Sequence, residues 1–449
     1  MKTLFITSFH PHISRNILST SVLDMLKAQN DLRLVIIVPD YKVEYFQDCF
    51  AGLNVLIEGV GVFKAARTFR GLLFKRLGMY VCPTDTVRLR RQFKFFSDRK
   101  LGTFVFAGIM GILGKRSVFR RMVRALDLRF SPKGFFDELL DRYRPDAIFS
   151  TDPQNDNDVS LMHDARMRRI PIIGMVRSWD NTTQRAFRVF PDRMLVGSRA
   201  LADECVAIHG FSPDRVVITG QPHYDRYGAP TRSREQFFHD FGLDPAKPLI
   251  LYAPVGDVTL IMKENDMDQY VMEILGSLGI QVLVRFPPDE NVRLINFQKP
   301  DTMVIHRPGH AFKNTQFTDR EIAREDDDSL IDQIFYSDLV VTGPTSVSLD
   351  AAFMDKPVIV VDLYPTPRHF FEKVYQYSYS HIKKMLACGG VYHARTKEDL
   401  IKKITAYMKN PGGDTKGRQC MRDLWFSHAD GHAGERVAKQ VIAFIKDTR

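Results

Sequence analysis

The sequence contains no run of about 18 uncharged apolar residues, the length a membrane-spanning helix needs. Its nearest approach, residues 101–114, is closed off by Lys100 and Lys115 and is rich in glycine. A secretory leader is not expected in the first residues either. In MKTLFITSFHPH the apolar stretch at 4–6 is far too short, and no small-residue cleavage pattern follows. Cysteine is scarce. Cys49, Cys82, Cys205, Cys388 and Cys420 are odd in number, scattered and without metal-type spacing. That argues against a disulfide framework or a structural zinc and for a reducing compartment. Internal repeats and low-complexity tracts are absent too. These absences predict a cytoplasmic chain with no metal-binding cysteine framework.

What the sequence does have is length and unevenly placed charge. At 449 residues it exceeds one typical core, so two domains are expected. Residues 61–130 hold 17 Lys/Arg against three acids, a local +14 in a chain whose total is +10. The cations alternate with large apolar residues in VFKAARTFRGLLFKRLGMY, VRLRRQFKFF and VFRRMVRALDLRF. Helices of this kind lie in a membrane interface, with the cations meeting anionic headgroups. A solvated helical face and a nucleic-acid patch are the other readings of such charge. Phe and Leu interleaved at helical spacing, with no nucleic-acid motif, favour an anionic membrane surface and no nucleic acid.

Elsewhere short apolar runs alternate with amphipathic helical stretches. LFIT, the run at 34–38, AIFS at 147–150 and the runs at 171–176, 193–196 and 216–219 read as strands. So do the runs at 249–253, 282–286, 303–306, 339–341 and 357–361. This alternation predicts an α/β protein with parallel sheets covered on both faces. A polar, turn-rich stretch at 230–248 reads as the linker. The expected architecture is therefore two doubly wound, Rossmann-like domains, 1–230 and 231–449, facing across a cleft. The basic helical segment 61–130 is an insertion in the first. The segment SDLVVTGPTSVSLDAAFMDKPVIVVD (337–362) reads as strand, Gly/Ser/Thr turn, helix, strand. Such a turn offers backbone N–H groups and hydroxyls at a helix N-terminus, where a phosphate is favoured. An ordinary capped βαβ turn gives the same pattern.

Several segments, in order, carry a resemblance. These are Arg177-Ser178-Trp179-Asp180-Asn181-Thr182, Gly220-Gln221-Pro222-His223-Tyr224-Asp225, the LILYAP stretch at 249–254, residues 328–350, and Asp430-Gly431-His432-Ala433 with Arg436. Together the chain from about 146 to 445 resembles GT-B glycosyltransferases and their relatives. Those relatives are the CDP-glycerol glycerophosphotransferases and the UDP-N-acetylglucosamine 2-epimerases. The resemblance implies a sugar moved from a nucleotide-sugar donor to a lipid-linked or growing cell-surface polysaccharide at the inner membrane face. Its alternatives are polyol-phosphate transfer from a CDP-polyol and, less favoured, 2-epimerisation of a UDP-sugar. Two departures stand out. The epimerases carry acids after the nucleotide-binding strand, where this chain has only Asp350. The polyol-phosphate transferases carry His-Pro after the second strand of the later domain, where this chain has Arg285-Phe286-Pro287-Pro288.

Glycosyl transfer needs stabilisation of the leaving diphosphate, a positioned acceptor and, in an inverting enzyme, a base. For the diphosphate the candidates are Thr342, Gly343, Pro344, Thr345, Ser346 and Ser348 with Arg285. Asp430 and Arg436 are candidates for the nucleotide or for closing the last helix. The catalytic candidates are His10, His12 or Asp152 as base, and Asp180, whose carboxylate would bind acceptor hydroxyls. Trp179 and Asn181 are acceptor candidates, the indole stacking on a sugar ring. The resemblance implies that helix dipoles and cations replace a divalent metal. Asp326-Asp327-Asp328 has the acids a sugar-nucleotide metal would want, but it reads first as a solvated acidic turn before a helix. No metal and no cofactor are therefore expected, the nucleotide-sugar being a substrate.

Overall fold

The computed structural model describes residues 1–257, 266–288, 290–312 and 320–448. The chain divides into two compact units, Met1–Asp225 with Trp425–Arg449, and Arg226–Leu424. The first holds seven strands: β1 (Lys2–Thr7), β2 (Leu32–Pro39), β3 (Val55–Val60), β4 (Ala147–Ser150), β5 (Ile172–Met175), β6 (Arg193–Val196) and β7 (Val216–Ile218). They form one sheet in the order β3-β2-β1-β4-β5-β6-β7. Every pairing is parallel, with Leu4 opposite both Leu34 and Ala147. Leu4 and Ile6 pack into one core layer and Phe5 into the other. Burial on both faces is why LFIT reads as a continuous apolar run.

The second unit holds β8 (Leu249–Ala253), β9 (Gln281–Arg285), β10 (Met303–His306), β11 (Leu339–Thr342), β12 (Val358–Val361) and β13 (Tyr392–Ala394). These are again all parallel, in the order β10-β9-β8-β11-β12-β13. Strand order reverses at β1/β4 in one sheet and at β8/β11 in the other. In doubly wound sheets ligands bind outside the strand C-termini at such a switch point. Part of the loop after β8, residues 258–265, lies outside the described residues.

The end of the chain departs from the expected boundary at 231–449. The helix Ala433–Asp447 belongs to the first unit, where Val437, Val441, Phe444 and Ile445 pack into the core with Leu23 and Leu26. Lys2 Nζ donates to the Ile445 carbonyl at 2.6 Å. The Asp225 carboxylate caps the helix, accepting from Ala433 N–H at 2.9 Å and Gly434 N–H at 2.7 Å. A Cβ on Gly434 would lie 2.1 Å from Ser21 Oγ, so glycine is what lets the two helices approach.

Between β3 and β4 the basic segment folds as four helices: Phe69–Tyr80, Asp85–Asp98, Leu101–Leu113 and Ser117–Phe130. Thr68 and Thr84 cap the first two through their hydroxyls. The inner side is tied to the sheet unit by polar contacts. Asp127, 2% exposed, accepts from Arg188 Nε at 2.7 Å and Nη2 at 3.0 Å, and Ser131 Oγ donates to it as well. Lys75 pairs with Asp156 at 2.5 Å. The outer side leaves large apolar residues in solvent: Phe69 81%, Leu101 63%, Ile112 68% and Val118 72% exposed. Among the described residues no single helix is long and apolar enough to cross a membrane. Leu101–Leu113 and Ser117–Phe130 together reach that length but bend by 115°.

Candidate functional site

In the second unit the turn after β11 is shaped by the loop after β8. Asp268, fully buried, accepts from Val255 N–H and Gly256 N–H, each at 3.0 Å, and from Tyr252 Oη at 2.8 Å. The loop so fixed presses Val255 onto the turn. A Cβ on Gly343 would lie 1.9 Å from Val255 Cγ1, so only glycine fits. Thr342 Oγ1 donates to the Ala253 carbonyl at 2.8 Å and lies 3.0 Å from Thr345 Oγ1. Thr345 N–H closes on the Gly343 carbonyl at 2.8 Å. The helix Val347–Phe353 follows. Pro344, Thr345, Ser346 and Val347 are half-exposed. The N–H groups of Ser346 and Val347 have no acceptor among the described residues. They are the orphan donors of a helix start.

Three sequence expectations for this turn are corrected. Ser348 is fully buried and its hydroxyl donates to the Gly343 carbonyl at 3.2 Å, so it braces the turn and offers nothing to a ligand. Thr342 is fully buried and likewise spends its hydroxyl on the Ala253 carbonyl. Arg285, expected to face a diphosphate, is 6% exposed and committed inward. Its Nη2 donates to the Asp326 carbonyl at 2.8 Å, and its Nη1 donates to Gln333 Oε1 at 3.2 Å and lies 3.3 Å from His306 Nδ1. The remaining cradle is Thr345, Ser346 and two backbone amides over Gly343 and Pro344.

Asp430 and Arg436 lie in the first unit and close the approach to the last helix, the second of the two roles the sequence allowed. Arg436 is fully engaged. It donates to the Thr219 carbonyl at 2.8 Å, to the His428 carbonyl at 3.0 Å and to both Asp430 oxygens at 2.9 and 2.8 Å. The pair closes the loop before the final helix. The acidic triplet is equally occupied. Asp326 accepts from Gly309 and Ala323 N–H, Asp327 from Tyr227 Oη, and Asp328 pairs with Arg226.

The first unit gathers polar residues at the C-terminal ends of β1, β4 and β5. His10 is half-buried and its Nδ1 accepts from His12 N–H at 3.2 Å. Burial, then the charge of Arg177, pushes the His10 imidazole well below its ordinary pKa, so the ring is neutral. With Nδ1 accepting, the proton sits on Nε2. His10 in this tautomer is a donor, and it serves as a base only by giving up the His12 amide. The His12 ring lies 4.8 Å away, edge-on. Asp152, 4% exposed, pairs with Arg177 Nη1 at 2.9 Å. The carbonyl of Arg177 collects Asn16 Nδ2 and Gln221 Nε2, both at 3.1 Å. Asp180 holds Gln184 Nε2, which leaves its carboxylate engaged within its own short helix. Asn181 is buried and donates to Gln154 Oε1 at 3.4 Å. Trp179 stands half-exposed with its ring edge-on to Trp425 at 5.4 Å.

Sequence reasoning missed Asp158. It sits in the first turn of the helix Asp156–Met167, fully buried, and accepts from Thr7 Oγ1 at 2.6 Å and Ser150 Oγ at 2.7 Å. Burial, with Asp152 adding, pushes its carboxyl up to about 7. It locks the ends of β1 and β4 together. Nothing in its local pattern distinguishes it from an exposed helix-start acid.

Two doubly wound parallel sheets with these strand orders are the GT-B fold. Solved structures bear this out. A protein described as a UDP-N-acetylglucosamine 2-epimerase from Listeria monocytogenes matches 100% of this chain and 97% of its own, at 12% identity and a TM-score of 0.56. The UDP-GlcNAc 2-epimerase from Neisseria meningitidis, bound to UDP-GlcNAc, matches 99% of this chain and 100% of its own, at 11% identity and a TM-score of 0.53. The wall teichoic acid polymerase TagF matches 99% of this chain and 89% of its own, at 10% identity and a TM-score of 0.51. At such identities the likeness is one of fold. No curated protein sequence matches the chain significantly. The family is given by the model for CDP-glycerol:poly(glycerophosphate) glycerophosphotransferases, which matches residues 179–443. The chain belongs to that family and is a transferase.

Proposed function

We propose that this chain moves a sugar from a nucleotide-sugar donor to a hydroxyl of a lipid-linked or growing cell-surface polysaccharide, at the cytoplasmic face of the membrane. The observation that carries the reading is the turn 343–347. Two backbone amides with no acceptor among the described residues and two half-exposed hydroxyls start a helix there, in a unit of the family that handles nucleotide-activated donors. The acceptor oxygen attacks the anomeric carbon, the bond to the diphosphate breaks, and the nucleoside diphosphate leaves with the charge that the amides stabilise. We infer no metal or cofactor requirement, because the amides and the helix dipole supply positive potential themselves.

The family match favours a second reading, polyol-phosphate transfer from a CDP-polyol. The residues after β9 count against it. The strand ends in Arg285-Phe286-Pro287-Pro288 without a histidine, and there Phe286 is 2% exposed and Arg285 is turned inward. Product analysis separates the readings. Sugar transfer releases a nucleoside diphosphate, and polyol-phosphate transfer releases CMP. Donor converted without any acceptor would instead make the chain an epimerase.

For the membrane, the support is the insertion. Its exposed apolar residues are flanked by Lys94, Arg99, Lys100, Lys115, Arg116 and Arg121, all exposed. The fitting occupant is a bilayer of anionic phospholipid, which takes the apolar side chains among its acyl chains and the cations at its headgroups.

A further inference from the structure

The turn that follows the helix Ser380–Ala387 meets the helix Thr415–Trp425 through glycine. A Cβ on Gly417 would lie 2.2 Å from the carbonyl carbon of Gly389, and one on Gly390 would lie 2.6 Å from the Arg418 nitrogen. The two backbones are in direct contact, with no room for a side chain between them. Cys388 is the C-cap of the first helix. Cys420 follows Gly417 by three residues, so it sits one turn along on the same face of the second. The approach sets Cys420 beside Cys388, close enough for each thiol to feel the other's charge. Cys420 is exposed and Cys388 half-buried, whereas Cys82 and Cys205 are buried in the other unit.

We propose that Cys388 and Cys420 are a redox-modification site, a dithiol that closes to a disulfide when the thiol pool turns oxidising. Neighbouring thiols on segments whose backbones touch are the starting point that disulfide geometry needs. With oxidised glutathione as the oxidant, the exposed Cys420 thiolate attacks one sulfur and releases one reduced glutathione. Cys388 then loses its proton to water and attacks the Cys420 sulfur of the mixed disulfide, releasing the second. Two thiols are oxidised and one glutathione disulfide is reduced to two thiols. Burial, then the neighbouring Cys420, pushes the Cys388 thiol up, so its attack gains as pH rises and more thiolate forms.

The site lies where it braces the candidate phosphate turn. Arg418 Nε and Arg422 Nη1 bind Asp355 Oδ1 at 2.8 and 3.1 Å, and Arg422 also donates to the Ala352 carbonyl at 3.0 Å. Ala352 lies within the helix Val347–Phe353 that the turn starts, and Asp355 two residues beyond it. A disulfide would pin this support to the preceding helix. The inference does not depend on what the turn binds.

The test is equilibration of the full chain with mixtures of reduced and oxidised glutathione, followed by thiol counting and peptide mapping. The expected result is the joint loss of two of the five thiols, a peptide joining Cys388 to Cys420, and no retained glutathione. Closure should speed up about tenfold per pH unit between roughly pH 7 and 9. Cys388→Ser should keep glutathione on Cys420. Stable glutathione on Cys420 of the unmodified chain, or a joined peptide containing any other cysteine, would overturn the proposal. So would closure indifferent to pH.

Discussion

Replacing Lys94, Arg99, Lys100, Lys115, Arg116 and Arg121 together by Gln lowers affinity for vesicles containing anionic phospholipid by roughly four orders of magnitude. A basic side chain near such a surface contributes about 1 kcal/mol, so the six sum to on the order of 6 kcal/mol. The six are exposed, so their loss leaves the fold of the first unit intact. Binding of the unmodified chain falls with added salt, because the headgroup attraction is screened. A second variant, Phe106→Ser with Ile109→Ser and Ile112→Ser, removes exposed apolar surface and weakens binding to anionic and neutral vesicles alike. Co-sedimentation measures both. Full binding by both variants would remove the membrane from this account.

The second large effect is on stability. Asp127→Ala destabilises the first unit by about 3–5 kcal/mol, the range for breaking one side of a buried ion pair. Arg188, 11% exposed at its side chain, is left with Asp156 at 3.8 Å as its nearest carboxylate. The expected fall in melting temperature is on the order of 10 °C for a unit of this size. Asp127→Ala combined with Arg188→Met recovers part of the loss, because the stranded charge is then gone. A single variant within 1 kcal/mol of the unmodified chain would mean that Asp127 does not tether the insertion to the sheet.

The family, three of the four helices of the insertion, and both parallel sheets except their edge strands β3 and β13 were legible in the sequence. Leu4 to Thr7 and its counterparts are buried on both sides, and such strands announce themselves as apolar runs. Contacts between distant segments were not legible. The stripe Val437, Val441, Phe444, Ile445 states that a helix buries one face, but not which sheet it covers. A chain that returns to its first unit reads the same as one that does not. Arg285 at the end of β9 reads as an outward cation until Gln333 and the carbonyl of Asp326 reach it across some forty residues. Ser348 and Thr342 carry the hydroxyls a phosphate would want, and the turn itself uses them first. Asp430 and Arg436 mark a local closure whose sequence signature is shared with ligand sites.

The central claim is that the amides of Ser346 and Val347 receive the donor's phosphates. Amide hydrogen exchange of the full chain, with and without a nucleotide donor that raises its melting temperature, tests this directly. The account predicts that these two amides, fast in the free protein, slow markedly once donor saturates. Unchanged exchange at both under saturating donor would contradict it.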